Sequence, residues 1–193
     1  MNNVEIKARV RDLDAFAARL KALRPSKPRV LVQEDVFFKI PRGRLKLRIL
    51  GPRTGELIYY ERPDAAGPKL SSFEIARTSD PAGLRAVLAA AFGVRGVVRK
   101  IRLAARAGQT RIHLDAVSGL GLFAELEVVL RRGQAAADGA AVARALMKKL
   151  KIRPADLVSG AYLDLLEKAS GPAVSPSAKT ACDRKPSGNT PSA

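Results

Sequence analysis

The sequence predicts an α+β fold in which eight antiparallel strands close into a barrel, or tunnel, with a charged interior and with amphipathic helices packed outside. Two observations predict this fold. Strand-like segments outnumber helical ones by two to one and are joined mostly by short links, which is typical of an antiparallel sheet covered by helices. At least five segments also alternate charged with apolar residues, and because alternate residues of a strand face opposite sides, each segment offers one charged face.

The charged faces distinguish a closed sheet from a flat one. Charges buried inside a fold are costly unless they are paired or ligated. A hydrated, ligand-binding barrel interior meets this condition, whereas a flat sheet with one solvated face is the alternative. Eight strands favour closure, because closure also removes exposed sheet edges.

Eight segments have the residue pattern of strands, and turns that contain glycine or proline separate several of them. They span residues 3–10, 30–40, 44–50, 56–62, 70–77, 97–106, 109–117 and 122–131. The apolar faces of these strands need a cover, and we expect the helices to supply it on the outside of the barrel.

Four helices are predicted from capping residues and from apolar residues that recur on one face. Asp12 begins the first helix, and the dipeptide Asp80-Pro81 begins the second with an N-cap and a proline in the first turn. A third helix spans about residues 136–150. Pro154 opens a fourth helix that includes Leu165.

Composition bounds the domain organisation. The chain has 193 residues, of which 47% are hydrophobic, and this fits one domain followed by a tail. Residues 1–170 carry the periodic patterns and form the predicted tunnel domain. Residues 171–193 are rich in Pro, Ser and Ala and lack a periodic apolar pattern, so we expect them to be a disordered tail.

The formal net charge of +17 predicts an anionic partner, such as nucleic acid, anionic lipid or a phosphorylated small molecule. A solvated basic surface without a specific partner is the alternative. The tail contributes only three cations and one carboxylate, so most of the charge belongs to residues 1–170. Aromatic residues make up only 5% of the chain, which argues against a nucleic-acid reader, because such proteins hold single strands by stacking bases on aromatic side chains.

The cellular setting follows from three features of the sequence. A stretch of about 18 apolar residues, which a membrane helix would need, does not occur. The N-terminus begins with a strand pattern rather than with a signal peptide, and the single cysteine, Cys182, cannot form an internal disulfide. We therefore expect a cytoplasmic protein.

Cationic side chains from several predicted strands share the charged face. They are Lys46 and Arg48 on one strand, Lys100 and Arg102 on another, Arg111 on the partner of a predicted hairpin, and Arg62 on a further strand. Because a guanidinium group binds phosphate through two hydrogen bonds and a lysine acts as a point charge, converging cations form a phosphate-binding surface. The alternative for any one of them is an ordinary solvated side chain.

Carboxylates occupy the same face. They are Glu5, Asp115, Glu125 and Glu127. Glu125 and Glu127 are two residues apart, so they lie on one face of a strand and are close enough to bind a common ion. Such all-oxygen ligands suit Mg²⁺ or Mn²⁺. The alternative is that the acids only pair with the neighbouring lysines and arginines.

Other catalytic motifs are not found. His113 is the only histidine, and we expect it to be a structural donor or a bystander. The sequence has no cluster of cysteine and histidine residues, which argues against a zinc site. It also lacks a P-loop and a glycine-rich dinucleotide-binding motif.

Taken in order, these segments resemble the CYTH domain, the family of triphosphate tunnel metalloenzymes. The segment Asn3-Val4-Glu5-Ile6-Lys7 is similar to the E-x-E-x-K signature of that family. The other similar segments are QEDVFF at 33–38, LKLR at 45–48, YERPD at 60–64, GPKLS at 67–71, RKIR at 99–102, HLD at 113–115 and LFAELE at 122–127. Each motif is weak alone, but the ordered set covers residues 3–167 and looks most like the class IV adenylate cyclase branch.

This resemblance implies an eight-stranded antiparallel tunnel that binds a triphosphate and a divalent metal, Mg²⁺ or Mn²⁺. The residues implied to hold phosphate are Lys46, Arg48, Arg62, Lys100, Arg102 and Arg111. The residues implied to hold the metal are Glu5, Asp115, Glu125 and Glu127. Glu5 and Lys7 are implied to be catalytic, with Lys7 contacting a phosphate or polarising the water or the leaving group.

The sequence departs from the signature at its first acid, which is replaced by Asn3. An amide oxygen can still ligate a hard cation, but it carries no charge. Two consequences are open: a lower affinity for the metal, or a metal held mainly by Glu5, Glu125 and Glu127.

Three functions follow from the resemblance and from the charge. The first is an adenylate cyclase-like conversion of ATP to cyclic AMP and pyrophosphate, and the second is hydrolysis of inorganic, thiamine or nucleoside triphosphate. The third is non-catalytic binding of polyphosphate or a nucleotide, which Asn3 and the net charge favour. The implied partner is ATP, thiamine triphosphate or tripolyphosphate; neither a membrane nor nucleic acid is expected, and a homodimer is left open.

Overall fold

The structure is a computed structural model, and it describes residues 2–170. Within this range the chain forms eight strands, four α-helices and one short 3₁₀ helix. The strands are β1 (Asn2–Arg9), β2 (Arg29–Phe38), β3 (Arg44–Gly51), β4 (Thr54–Glu61), β5 (Lys69–Thr78), β6 (Val94–Ala107), β7 (Thr110–Val117) and β8 (Gly121–Val129). The helices are α1 (Leu13–Ala22), α2 (Pro81–Phe92), α3 (Ala136–Leu150) and α4 (Tyr162–Ser170). The tail predicted to be disordered, residues 171–193, lies outside the described residues.

The strands pair antiparallel and close into a barrel in the order β1, β5, β4, β3, β2, β6, β7, β8. Two runs of consecutive strands, β2 to β5 and β6 to β8, are joined by the β2–β6 pair on one side and by β1 on the other. Glu5 of β1 lies opposite Lys69 on β5 and opposite Glu127 on β8. The predicted α+β fold with a closed eight-stranded antiparallel barrel is therefore confirmed.

The apolar faces of the strands are buried beneath the helices. On β1, Val4 and Ile6 are each 1% exposed and pack outside the barrel, whereas Glu5 and Lys7 face inward. Helices α1 and α3 cover the β1, β7 and β8 side, where Phe16 and Met147 contact the strand residues. Helix α2 covers β2, β3 and β4. Among residues 2–170, the structure contains no helix that combines the length and the apolar character needed to span a bilayer.

The predicted starts of the first two helices are confirmed by their caps. The side chain of Asp12 accepts a hydrogen bond from the Ala15 N–H at 2.9 Å, and Asp80 accepts one from the Gly83 N–H at 2.9 Å. Gly93 ends α2 with a φ of 72°, a conformation that glycine adopts without steric cost. The strand β6 begins directly afterwards at Val94, earlier than predicted.

The predicted fourth helix begins later than the sequence suggests. Pro154–Asp156 form only a 3₁₀ turn, because the next residues pair with β1 instead of continuing a helix. The Val158 N–H donates to the Lys7 carbonyl oxygen at 2.9 Å, and Gly160 has a φ of 76°, which glycine adopts without steric cost. Helix α4 begins only at Tyr162, so its first turn lies at one end of the barrel.

Candidate active site in the barrel interior

The inward faces of the strands form one buried, highly charged cavity. The sequence-predicted residues that line it are Glu5, Lys7, Lys46, Arg48, Arg62, Lys100, Arg102, Arg111, Glu125 and Glu127. Asp115 is fully buried beside Arg102 and does not line the cavity itself. The fold thus brings together residues that are up to 122 positions apart in the sequence, Glu5 and Glu127 being paired across β1 and β8.

Asp35 on β2 organises the first pair of cations. Its carboxylate accepts a hydrogen bond from Lys46 at 2.9 Å and two from Arg48, at 2.8 and 3.1 Å. Burial alone would raise the pKa of Asp35, but Arg48 and Lys46 hold it well below its usual range. Burial, together with the neighbouring Arg48, lowers the pKa of Lys46 to about 8.

Asp115 on β7 organises a second pair of cations in the same way. It accepts a hydrogen bond from Lys100 at 3.0 Å and two from Arg102, at 2.7 and 2.6 Å. In both clusters a Lys-x-Arg segment on one strand of a hairpin meets an aspartate on the other strand, and the aspartate lies directly opposite the arginine. The barrel therefore repeats one arrangement at two hairpins, and in each the aspartate fixes the cations that face the cavity.

Asp35 was not among the predicted site residues, because Gln33, Glu34 and Asp35 are consecutive polar residues and alternation alone does not show which of them faces inward. Asp115 was predicted to be a metal ligand. Its oxygens, however, already accept hydrogen bonds from Lys100, from Arg102 and, at 3.1 Å, from the Tyr162 hydroxyl. Its predicted role as a metal ligand stays a prediction, and these contacts favour a role in orienting cations.

A group of metal-compatible ligand atoms lies on β7 and β8. One ligand atom from each of His113, Glu125 and Glu127 can be chosen so that all three lie within 4.8 Å of one another. Burial alone would raise the pKa of both glutamates, but neighbouring groups hold both pKa values below the usual range: Arg102 chiefly lowers the pKa of Glu125, and His113 and Arg102 lower that of Glu127. Two ionised carboxylates and a buried imidazole nitrogen fit a divalent cation, so the donor set agrees with the metal that the resemblance implies.

Glu5 and Arg62 form a further ion pair beside this group. The Nη1 atom of Arg62 donates to the Glu5 carboxylate. The Arg62 side chain is only 5% exposed, yet its Nε and Nη2 atoms have no hydrogen-bond partner within the described part of the chain. Two buried donors without an acceptor can bind an anion that enters the cavity.

Lys7 lies beside the segment that leads into α4. Its Nζ atom donates to the Gly160 carbonyl oxygen at 3.1 Å, lies 3.6 Å from Glu125 and lies 3.9 Å above the Tyr162 ring. Burial lowers its pKa to about 8, with Glu125 acting in the opposite direction. This lysine is therefore held between the segment 160–162 and the Glu125 carboxylate.

Asn3 lies two residues before Glu5 on β1, faces inward like Glu5 and is 3% exposed. Its side-chain oxygen has no hydrogen-bond partner among residues 2–170. The amide oxygen that replaces the first motif acid is thus buried and available to a ligand.

The two ends of the barrel differ. At one end, Tyr162 of α4 and the preceding Ala161 form part of the cavity wall, and Tyr162 packs edge-on against Phe123 with ring centres 5.0 Å apart. The opposite mouth is lined by arginines and by apolar residues, which include Arg29, Arg77, Arg111, Leu31, Leu50 and Ile75. Sequence reasoning missed the part that α4 plays, because it treated this helix only as an outer cover.

A sequence model of the CYTH domain matches residues 1–162, which is most of the chain. The chain belongs to the CYTH family. Members of this family include divalent-metal-dependent enzymes that process triphosphates, and some members are not catalytic. No curated protein matches the chain in sequence.

Solved structures agree with this assignment at the level of the fold. The PH1012 protein from Pyrococcus horikoshii OT3 has a TM-score of 0.76 and 22% identity, over 84% of this chain and 98% of its own. A putative adenylate cyclase from Vibrio parahaemolyticus has a TM-score of 0.69 and 24% identity, over 85% and 97%. A putative adenylyl cyclase from Hippeastrum, described as having a dominant triphosphatase activity, has a TM-score of 0.61 and 16% identity, over 87% and 96%.

Proposed function

We propose that this CYTH protein is a divalent-metal-dependent enzyme that binds a triphosphate inside the barrel and cleaves one of its phosphoanhydride bonds. The observation that carries the proposal is the convergence of Lys-x-Arg pairs from β3 and β6 with the Glu125–Glu127 pair in one buried cavity. Buried cations that can each donate to phosphate oxygens, next to a carboxylate pair, match the charges of a triphosphate with a bound cation.

The cations would hold the phosphate chain. Arg48 and Arg102 can each donate two hydrogen bonds to phosphate oxygens, and Lys46 and Lys100 add point charges. Asp35 and Asp115 keep these side chains in place before substrate arrives, so little ordering cost remains when it binds. Arg62 offers its two free donors, and Arg111, whose side chain is 43% exposed, would meet the substrate at the mouth.

Glu125 and Glu127, with Glu5 nearby, would hold the metal. When bound, the cation neutralises charge on the phosphate oxygens and orients the attacking oxygen. Lys7, at the end of the cavity, would donate to a phosphate oxygen or polarise the attacking water. Each carboxylate would first have to give up the cation that it pairs with in the absence of a ligand.

The difference between the two ends of the barrel, one beside α4 and one lined by arginines, favours hydrolysis. A triphosphate that enters through the arginine-lined mouth would carry its terminal phosphate towards Lys7 and α4, and any organic group would stay towards the mouth. Attack by water on a phosphorus atom inside needs no room for a sugar. The resemblance put the cyclase first and hydrolysis second. We reverse this order because α4 lies at the end of the cavity towards which the terminal phosphate would point.

A cyclase is the second candidate. The apolar side chains of Leu31, Leu50 and Ile75 lie beside the arginines of the mouth and offer a surface for a nucleoside. In that case the ribose 3′-hydroxyl would attack the α-phosphorus near the mouth, and pyrophosphate would leave. The uncharged Asn3 favours a third candidate, a protein that binds the same anion without cleaving it.

Product analysis separates these candidates. The full chain is incubated with tripolyphosphate, thiamine triphosphate or ATP, each with Mg²⁺, with Mn²⁺ and with a chelator, and the products are resolved. We expect metal-dependent release of orthophosphate. Formation of cyclic AMP and pyrophosphate would identify the protein as a cyclase. Binding of a triphosphate without metal-dependent turnover of any of these three compounds would contradict the proposal that the protein is an enzyme. The variant Arg99→Ala is the matched control, because Arg99 belongs to the same strand as Arg102 but pairs with Glu34 on the outside.

A further inference from the structure

His113 is a buried residue that lines the arginine-lined mouth of the barrel, and the proposed function leaves it without a role. It belongs to β7, lies opposite Glu125 on β8 and is 7% exposed. Its Nδ1 atom has no hydrogen-bond partner among the residues that the structure describes. A buried polar atom without a partner is costly and therefore points to a missing ligand.

The distances around Nδ1 are those of neighbouring ligands rather than of a hydrogen bond. Nδ1 lies 3.6 Å from Glu127 Oε1 and 3.8 Å from Glu125 Oε2. Both separations exceed the range of a good N–H···O bond. Two ligand atoms that each bind one ion at about 2.1 Å are roughly 3 Å apart, so the three groups need only a small movement to enclose a cation.

We propose that His113 is the third protein ligand of the metal site and that it makes the site selective for a divalent first-row transition-metal ion over Mg²⁺. An imidazole nitrogen is a good ligand for transition-metal ions, whereas Mg²⁺ prefers oxygen ligands and retains its water. The inference rests on the proposed function only in taking Glu125 and Glu127 as metal ligands. It replaces the expectation that His113 is a structural donor or a bystander.

Charge balance agrees with this ligand set. Two carboxylates and a neutral imidazole match the charge of one divalent cation. The arginines that pair with the same carboxylates, Arg102 with Glu125 and Arg111 with Glu127, would then be released towards phosphate oxygens. The Arg111 contact is long, at 3.5 Å, so little is lost when it breaks.

The test measures metal binding without any substrate. Binding of Mn²⁺ to the untagged full chain is followed by electron paramagnetic resonance, and binding of Mg²⁺ by its competition with Mn²⁺. We expect His113→Gln to weaken Mn²⁺ binding by at least about tenfold, a loss at the low end of those seen when even the supporting groups of a metal site are removed. We expect Mg²⁺ binding to change much less. Unchanged Mn²⁺ affinity, or an equal loss for both ions, would overturn the inference.

A second measurement needs no variant. Because His113 is the only histidine of the chain, labelling with ¹⁵N-histidine marks a single imidazole. Pulsed electron paramagnetic resonance of bound Mn²⁺ should show a nitrogen coupling that changes with the isotope, and a spectrum without it would overturn the inference. Neither readout involves turnover, so a protein that cleaves no triphosphate can still pass this test, and an active enzyme can still fail it.

Discussion

The carboxylate of Asp35 on β2 accepts two hydrogen bonds from the guanidinium of Arg48, which lies directly opposite it on β3. The Asp35 side chain is only 3% exposed and that of Arg48 is 14% exposed, and both line the cavity in which the proposed phosphate would lie. The Asp35 carboxylate thus supplies the negative charge beside Arg48 that a bound phosphate would also supply. A ligand that supplies its own negative charge should take over that role.

If a bound phosphate can replace the negative charge of Asp35, a variant without this carboxylate should gain more stability from phosphate than the wild type does. We expect Asp35→Asn to destabilise the protein by about 3–5 kcal/mol, because it leaves Arg48 and Lys46 buried without a counter-charge. Tripolyphosphate should restore a larger share of stability in Asp35→Asn than it adds to the wild type. Urea denaturation with and without tripolyphosphate measures both effects, and equal stabilisation of the two proteins would argue against a phosphate site beside Arg48.

Arg48 itself should be needed for substrate binding and turnover. We expect Arg48→Ala to lower triphosphate turnover about a hundredfold, a typical loss for a donor that stabilises developing charge. Arg48→Lys keeps the charge but not the paired hydrogen bonds, so its loss should be smaller yet clear. Steady-state kinetics against Arg99→Ala as the control checks this, and a wild-type rate in Arg48→Ala would remove the residue from the site.

Glu127 should be needed for the metal dependence. Glu127→Gln keeps the shape of the side chain but removes the charge of one proposed ligand, so we expect most of the metal-dependent activity to be lost at every Mg²⁺ or Mn²⁺ concentration. Glu34→Gln is the control, because Glu34 pairs with Arg85 and Arg99 outside the cavity. Turnover is measured across a metal titration for both variants, and full activity in Glu127→Gln would exclude this carboxylate as a ligand.

Binding of triphosphate should weaken as the pH rises through about 8, where buried Lys46 loses its proton. Its pKa in the folded protein is below the ordinary value of 10.5, so between these two values the unfolded chain binds more protons and the free protein gains stability as the pH rises. The substrate anion binds the protonated, charged form of Lys46. The stabilisation that the anion provides should therefore decrease as the pH rises.

Melting temperatures at pH 7 and pH 9.5, each with and without tripolyphosphate, test this pH dependence. We expect a larger ligand-induced rise at the lower pH. Lys46→Met should reduce the difference between the two pH values without abolishing it, since the pKa of Lys100 is lowered by burial as well. A ligand effect that grows from pH 7 to pH 9.5 would contradict a phosphate-binding role for Lys46.

Tyr162 should couple α4 to the barrel interior. Its hydroxyl donates to the buried Asp115 carboxylate, so Tyr162→Phe should reduce the free energy of unfolding by about 1.5–3 kcal/mol, the range for a hydrogen bond to a charged group. Tyr59→Phe, which removes a hydroxyl bonded to Glu61, should cost less, because water can replace that exposed hydrogen bond. Equal losses in the two variants, measured by denaturant unfolding, would show that the Tyr162 hydroxyl has no special part in closing the barrel.

The sequence by itself determined the strand inventory and which face of each strand carries charge, because alternation is a local property of an extended chain. It therefore placed Lys46, Arg48, Lys100 and Arg102 on one surface and predicted a closed barrel around them. The family signature added the expected chemistry. The start of α4 was missed because a helical pattern cannot show that Leu157 and Val158 pair with β1 instead.

Only the tertiary structure decided which charges meet. Pairing of β7 with β8 sets His113 beside Glu125 and Glu127, and pairing of β2 with β3 sets Asp35 against Arg48. Whether an inward carboxylate meets a cation, an imidazole or open cavity depends on strand register and barrel closure, which involve residues far apart in the chain. For the same reason the sequence could gather the charged residues on one surface, but it could not assign each acid to metal or to cation.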